Sequence, residues 1–135
     1  MLNVVGTIFI KDNKLLLNKP RKNPTYQLIA GKVESNEDVL SAAIRESKEE
    51  LGSDVIIDDT KFELVSDFIE TAASNSNLKI HFYLFNYKDE LKGIFKTSDE
   101  IESFIWYDTS ISNIPLSHVL NNKVIPYLLD KKLIK

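Results

Sequence analysis

A mixed α/β sandwich is the fold class this sequence predicts, on three observations. One long stretch free of Gly and Pro, Glu37 to Leu51, carries the period and the stop signal of a helix. Around it lie short β-branched and aromatic runs bounded by polar turns. With 135 residues, 43% of them hydrophobic, the chain is long enough for one proper core and short for two. Residues 1–135 are therefore expected to form a single domain.

The elements follow in order. Asn3 to Ile10 is apolar and rich in β-branched residues, "KDNK" is a turn, and Leu15 to Lys19 continues apolar, which reads as a hairpin. "PRKNPT" is a proline-bounded loop, and "YQLIA" is a short strand leading into Gly31 at a turn. The central helix takes Asn36 as its N-cap, Glu37 and Asp38 in its first turn and Gly52 just past its end. At roughly 100° per residue, Leu40, Ile44, Ser47 and Leu51 fall in one stripe, the expected buried face, with Glu46, Glu49 and Glu50 away from it.

Strands are expected at Val55 to Ile57, Phe62 to Ile69, Leu78 to Tyr87 and Ser103 to Tyr107, separated by turns such as "ASNSN" and "KDELKG". In the third, Leu78, Ile80, Phe82 and Leu84 alternate with Lys79, His81 and Tyr83, as one core face and one polar face require. A last helix covers Asn121 to Leu133, kinked at Pro126 or starting near it.

Composition narrows the function. The chain has no Cys, which excludes disulfides and thiolate metal sites and leaves hard, oxygen-bound cations. No stretch approaches the roughly 18 apolar residues of a membrane span, and the N-terminus lacks a signal-type run, so a cytoplasmic location with no membrane partner is expected. A net charge of -3 with scattered lysines gives no basic field for a nucleic-acid polymer. A small polyanion such as a nucleotide would need cations to bridge it to this acidic chain.

One feature works against helix stability. Glu46, Glu49 and Glu50 crowd the end of the helix, where its dipole is negative and where like charges at i, i+3 and i+4 repel. Reading outward gives Gly31, five residues, Glu37, seven residues, Arg45-Glu46, two residues, Glu49-Glu50, one residue, Gly52. This resembles the signature of the Nudix hydrolase family, with all seven fixed positions present. A chance match at a given start is of order one in 10⁸ at ordinary residue frequencies. The surroundings "YQLIAGKVE", "SDEIESFIWYD" and "VIPYLL" also resemble the family. Ser47 and Ser53 depart from it, standing where Ile, Leu or Val is usual, and Ile29-Ala30 replaces the usual Pro-Gly.

The resemblance implies a Nudix-type α/β/α sandwich, with a mixed sheet and a central catalytic helix. It implies hydrolysis of a nucleoside diphosphate linked to another group, by water attacking phosphorus with Mg²⁺ or Mn²⁺ on the box glutamates. The chemistry asks for such a cluster, because hard divalent ions take oxygen ligands and neutralise a pyrophosphate while activating water. By position, Glu46, Glu49 and Glu50 match the metal-binding glutamates, and Glu46 or Glu49 is the in-box candidate for general base. The Gly31 carbonyl completes the ligand set. A further Glu from a later loop is expected, with Glu100 first and Glu102 second, and Arg45 is placed to pair with Glu49 and orient it.

The plainer readings stand beside these. "ESKEE" alone reads as a solvated acidic face, Gly52 as a C-cap and Glu37 as a pairing residue of the loop. Arg21, Lys19 and Lys32 are candidate phosphate contacts that read otherwise as solvated charges. Tyr26 and Phe82 are candidates to stack on a base or, more plainly, core. His81 and His118 lack a second ligand nearby, and Trp106 reads as core. "GKVE" is similar to MutT-like members, which implies nucleoside triphosphate conversion to monophosphate and pyrophosphate. ADP-ribose or a nucleotide sugar is the alternative substrate, a non-catalytic nucleotide sensor or an acidic assembly surface the alternative role, and a homodimer is left open.

Overall fold

In the computed structural model, residues 1–72 and 75–135 are described. The elements are β1 (Leu2–Ile8), β2 (Ile10–Lys11), β3 (Lys14–Pro20), β4 (Gln27–Lys32), α1 (Val39–Leu51), β5 (Val55–Ile56), β6 (Phe62–Ala72), β7 (Asn75–Tyr87), β8 (Lys92–Gly93), β9 (Ile101–Tyr107) and α2 (Ile125–Asp130). The main sheet runs β2-β3-β4-β1-β7-β6, with β9 added on β3. β1 and β7 pair in parallel, whereas β1–β4, β3–β4, β3–β9 and β6–β7 are antiparallel, so the sheet is mixed as expected.

The sheet lies between two layers, and the run Leu15-Leu16-Leu17 shows why. All three are 0% exposed, because Leu15 and Leu17 pack with Leu120, Val124 and Leu128 while Leu16 packs with Ala42, Ala43 and Leu51 of α1. A strand covered on both faces needs apolar residues at every position, not at alternate ones. β7 behaves likewise at its end: Phe82 and Leu84 face the C-terminal helical layer, and Phe85 and Tyr87 are buried on the α1 side. The single core face expected for this strand is thus corrected.

The first hairpin forms as expected, though its leading strand breaks at Phe9. Asp12 and Asn13 both take positive φ, 53° and 61°, as a two-residue hairpin turn demands. Residues 73 and 74 of the expected "ASNSN" turn lie outside the described residues. The other strands extend one or several residues beyond, or fall one short of, their expected ends.

Two expectations about α1 are corrected. Its N-cap is Asp38, whose carboxylate accepts the Ser41 N–H at 2.7 Å, while Asn36 sits in the preceding turn at φ 65°. Glu37 therefore lies before the helix. The buried face keeps the expected Ser47 and Leu51 but has Ala42 and Ala43 in place of Leu40 and Ile44, and Leu40 is 43% exposed. Small side chains let the helix axis approach the sheet closely, and that rotation turns Glu46 and Glu50 toward the strands. Ser47 fits this face because its hydroxyl donates to the Ala43 carbonyl at 2.7 Å, while Ser53 is exposed and costs no core contact.

The last helix starts earlier than expected and carries a π-helical turn, Leu120–Val124, ahead of α2. Pro126 explains it. A proline ring clashes with the carbonyl four residues back and has no N–H to give it, and widening the preceding turn relieves that clash. The Ile125 N–H reaches Leu120 O, five residues back, in keeping with that widening.

Candidate active site

The acidic end of α1 faces β3 and β4 across a cavity of about 180 Å³, lined by Asn18, Gln27, Glu46, Glu49, Glu50 and Glu100 among others. The three box glutamates arrive from one helix face, and Glu100 from the loop before β9. The structure thus brings Glu46, Glu49, Glu50 and Glu100, the first candidate of the late loop, to one cavity. Glu102 is not among them, since it pairs with Lys19 at 2.8 Å on the surface, which holds its carboxyl below the usual range.

Gly31 is not in a turn but inside β4, opposite Val5. Its lack of a side chain matters for another reason: a Cβ there would overlap the Glu46 carboxylate. The helix can therefore seat Glu46 directly against the strand. Ile29 and Ala30 continue the same strand, Ile29 buried against α1 and the Ala30 N–H donating to Glu50 Oε1 at 3.3 Å.

Arg45 organises the rim. Its Nε and Nη2 give Glu37 a two-pronged pair at 2.8 and 2.9 Å, and Nη2 also donates to the Lys32 carbonyl at 2.9 Å. Nη1 donates to Glu46 at 2.8 Å and to Glu49 at 3.3 Å. The expected Arg45–Glu49 pairing is present, but Glu37 is the stronger partner. Hydrogen bonding from Arg45 holds the Glu37 carboxyl down at about 2, and Glu37 in turn raises the Arg45 guanidinium above its usual value.

The deeper carboxyls shift the other way. Burial raises Glu46 despite Arg45, and burial followed by the nearby Glu46 charge raises Glu50 well above the usual carboxylate range. Glu49 stays open, its side chain 58% exposed.

Among the described residues, no three carboxylate or imidazole groups converge closely enough to hold a metal ion as they stand, and Arg45 spans Glu46 and Glu49. The donor set nevertheless fits a hard divalent cation. Four carboxylates face one small polar cavity, two of them desolvated beside like charges, and the glycine cradle brings one against the strand.

The remaining candidates divide. Arg21 donates from Nε to the Ser98 carbonyl at 2.7 Å and from its main-chain N–H to the Glu100 carbonyl at 2.8 Å. It ties down the loop that carries Glu100. Tyr26 bridges to Leu116 through its backbone and packs its ring on the core, so it does not line the cavity. Lys32 and Phe82 instead line a groove of about 250 Å³ on the other face of the sheet. It adjoins a pocket of about 180 Å³ holding Glu70 and His118, with Val4, Phe82 and Val119 common to both. Phe82 is stacked on Phe68 at 5.2 Å, and Trp106 packs on the α1-side core. His81 pairs with Asp67 at 2.6 Å and does not line the carboxylate cavity.

Sequence reasoning missed Asn18 and Gln27. Asn18 carried a readable signal, a polar residue interrupting "KLLLNKP" where the strand is otherwise buried. Gln27 lines both the carboxylate cavity and the groove, a position only the fold reveals.

The NUDIX domain family model matches residues 2–127, and the chain belongs to the Nudix hydrolase family. It is accordingly a pyrophosphohydrolase, of a family that acts on small nucleotides and generally needs a divalent metal ion. Among solved structures it is similar to a MutT Nudix hydrolase from Burkholderia pseudomallei, at 22% identity and a TM-score of 0.73 over 89% of this chain and 92% of that one. It is similar also to a MutT protein from Bacillus halodurans, at 19% identity and a TM-score of 0.72 over 96% and 82%. A third is an ADP-ribose pyrophosphatase from Streptococcus suis, at 19% and 0.66 over 97% and 91%. At these identities the likeness is one of fold. No curated protein matches the chain. No helix among the described residues is long and apolar enough to cross a membrane.

Proposed function

We propose that this chain hydrolyses a nucleoside triphosphate to the monophosphate and pyrophosphate, using Mg²⁺ or Mn²⁺. The observation that carries the reading is Gln27, which borders both the carboxylate cavity and the apolar groove on the far side of β4. A polyphosphate in the first and a nucleoside in the second would be joined past one strand. The groove supports an organic ligand: its floor is Val4, Phe82 and Val119, and the Ser117 hydroxyl on its wall is buried without a hydrogen-bond partner among the described residues.

In this reading Glu46, Glu49, Glu50 and Glu100, with the Gly31 carbonyl, hold the cation. Bound there, it would neutralise the phosphates and lower the pKa of water. The chain's own contribution is placement. Arg45 orients Glu46 and Glu49, and Arg21 holds the loop of Glu100. Glu49, the most open carboxylate of the box, takes the proton of the attacking water as its oxygen bonds to phosphorus and the bridging P–O bond breaks. Lys32 at the groove offers positive charge to the substrate.

The test is a panel of nucleoside triphosphates, oxidised dGTP, ADP-ribose and dinucleoside polyphosphates with Mg²⁺ or Mn²⁺, followed by phosphorus NMR of the products. Triphosphate turnover releasing pyrophosphate, lost in Glu49→Gln, is the expected result. Turnover of ADP-ribose alone would replace the substrate, no turnover would sink the proposed reaction, and an equally active mutant would remove Glu49 from it.

A further inference from the structure

We propose that Asn18 is a positioning residue that fixes Glu50 for cation binding, an inference that rests on the reading of the carboxylates as the cation site. Asn18 sits in β3, paired with Gln27 on one side and Phe104 on the other, and is 2% exposed. A buried carboxamide in a strand interior has a cost unless its polar atoms are satisfied. Here the Nδ2 group donates one hydrogen to the Leu28 carbonyl at 3.2 Å and the other to Glu50 Oε2 at 3.0 Å. Both partners are acceptors, so only the amide nitrogen can face them, and the orientation of the side chain follows from that.

The consequence lies in how Glu50 is held. Glu46 and Glu49 share the guanidinium of Arg45, which offsets part of their charge. Glu50 instead receives two neutral donors, the Asn18 amide on Oε2 and the Ala30 N–H on Oε1. Each oxygen is fixed by one hydrogen bond and keeps a lone pair, and among the described residues no Lys, Arg or His forms an ion pair with Glu50. Glu50 is thereby the carboxylate of the box oriented from the sheet with its charge left for a bound ion. Outer partners of this kind typically change metal affinity by about 10- to 100-fold when removed.

The experiment is Mn²⁺ binding to the full chain, measured as free Mn²⁺ by electron paramagnetic resonance, for Asn18→Val, Asn18→Thr and Glu50→Gln, with thermal unfolding of each metal-free protein. Val and Thr are close in shape and differ in one hydroxyl donor. The expected result is a Kd raised about tenfold or more in Asn18→Val, part of which Asn18→Thr recovers, while both remain folded. Binding by Asn18→Val equal to wild type, with Glu50→Gln weakened, overturns the role of Asn18 and leaves the cation site standing. Equal losses in Val and Thr assign the effect to packing and overturn it as well. Unchanged binding by Glu50→Gln removes the cation-site reading and the proposal together. Should Asn18→Val not fold, Asn18→Ala against Asn18→Ser makes the same contrast.

Discussion

Arg45 and Glu37 form a two-pronged ion pair, at 2.8 and 2.9 Å, that joins helix α1 to the loop leading into it. Eight positions separate them, so this is a tertiary clasp rather than a turn of helix. Glu37 also accepts the Glu34 N–H at 3.0 Å, which fixes the loop against the same guanidinium. With Arg45 reaching on to Glu46 and Glu49, the loop and the acidic face are set by one side chain. A lysine carries the charge but not the planar fork. Arg45→Lys should therefore lower kcat by about 100-fold, the scale expected when reacting groups are misplaced by an ångström, with the fold retained in circular dichroism.

The same clasp sets an acid limb of stability. The Glu37 carboxyl, held at about 2 against an ordinary 4.5, is deprotonated in the folded chain where the unfolded chain has already taken up a proton. A depressed carboxyl contributes stability that is fully present above its unfolded value and lost as pH falls through its folded value. Wild type should lose stability between about pH 5 and pH 2, and Glu37→Gln should lose less over that interval. Denaturant unfolding at successive pH values checks it, and parallel curves for the two proteins would contradict it.

Gly31 separates folding from activity. In Gly31→Ala the new methyl overlaps the end of a flexible glutamate, not backbone, so Glu46 can swing away and the strand is kept. Replacing Gly by Ala at an ordinary strand conformation even favours folding by about 0.4–1 kcal/mol through the unfolded chain. The expected outcome is a thermal midpoint unchanged or slightly higher, with kcat reduced about 100-fold by displacement of one site carboxylate.

These residues also show what was legible beforehand. The seven box positions were readable because their spacing is carried by one helix and its flanking loop, where sequence distance and spatial distance run together. The C-terminal end of α1 and most strand positions were readable from period and turn residues for the same reason. Half of the buried face of α1 was, since Ser47 and Leu51 lie in the expected stripe; apolar periodicity also favoured Leu40 and Ile44, where the close approach of helix to sheet selects the small residues Ala42 and Ala43. Asn18, Gln27 and the latch from Arg21 to Ser98 depend on which strands become neighbours, and β3 meets β9 across more than eighty residues. No local pattern encodes that meeting.

Glu100 and Glu102 are two residues apart and test how the late loop is used. Glu100 lines the carboxylate cavity, and its loop is closed by the Ser98 hydroxyl, which accepts the N–H groups of Glu100 and Ile101 at 3.2 and 3.1 Å. Glu102 points to Lys19. Glu100→Gln should cut kcat by about 10- to 100-fold, as loss of a group near the reacting atoms does. Glu102→Gln should leave kcat within about twofold, because an exposed ion pair contributes little. Steady-state rates at saturating metal and substrate decide between them, and equal losses would move the function to Glu102 or to the loop as a whole.

The last expectation concerns a site the reaction does not use. Thr7 in β1 is 1% exposed, and its hydroxyl makes no hydrogen bond among the described residues. It lies opposite Ile29 on one side and Phe85 on the other, both within the α1-side core. Valine has nearly the same shape, and replacing an unsatisfied buried hydroxyl by a methyl removes a desolvation penalty of about 1–3 kcal/mol in the folded state. Thr7→Val should therefore raise unfolding stability by about 1 kcal/mol or more while kcat and KM stay at wild-type values. A loss of stability in urea unfolding would show instead that the hydroxyl is hydrogen-bonded in solution.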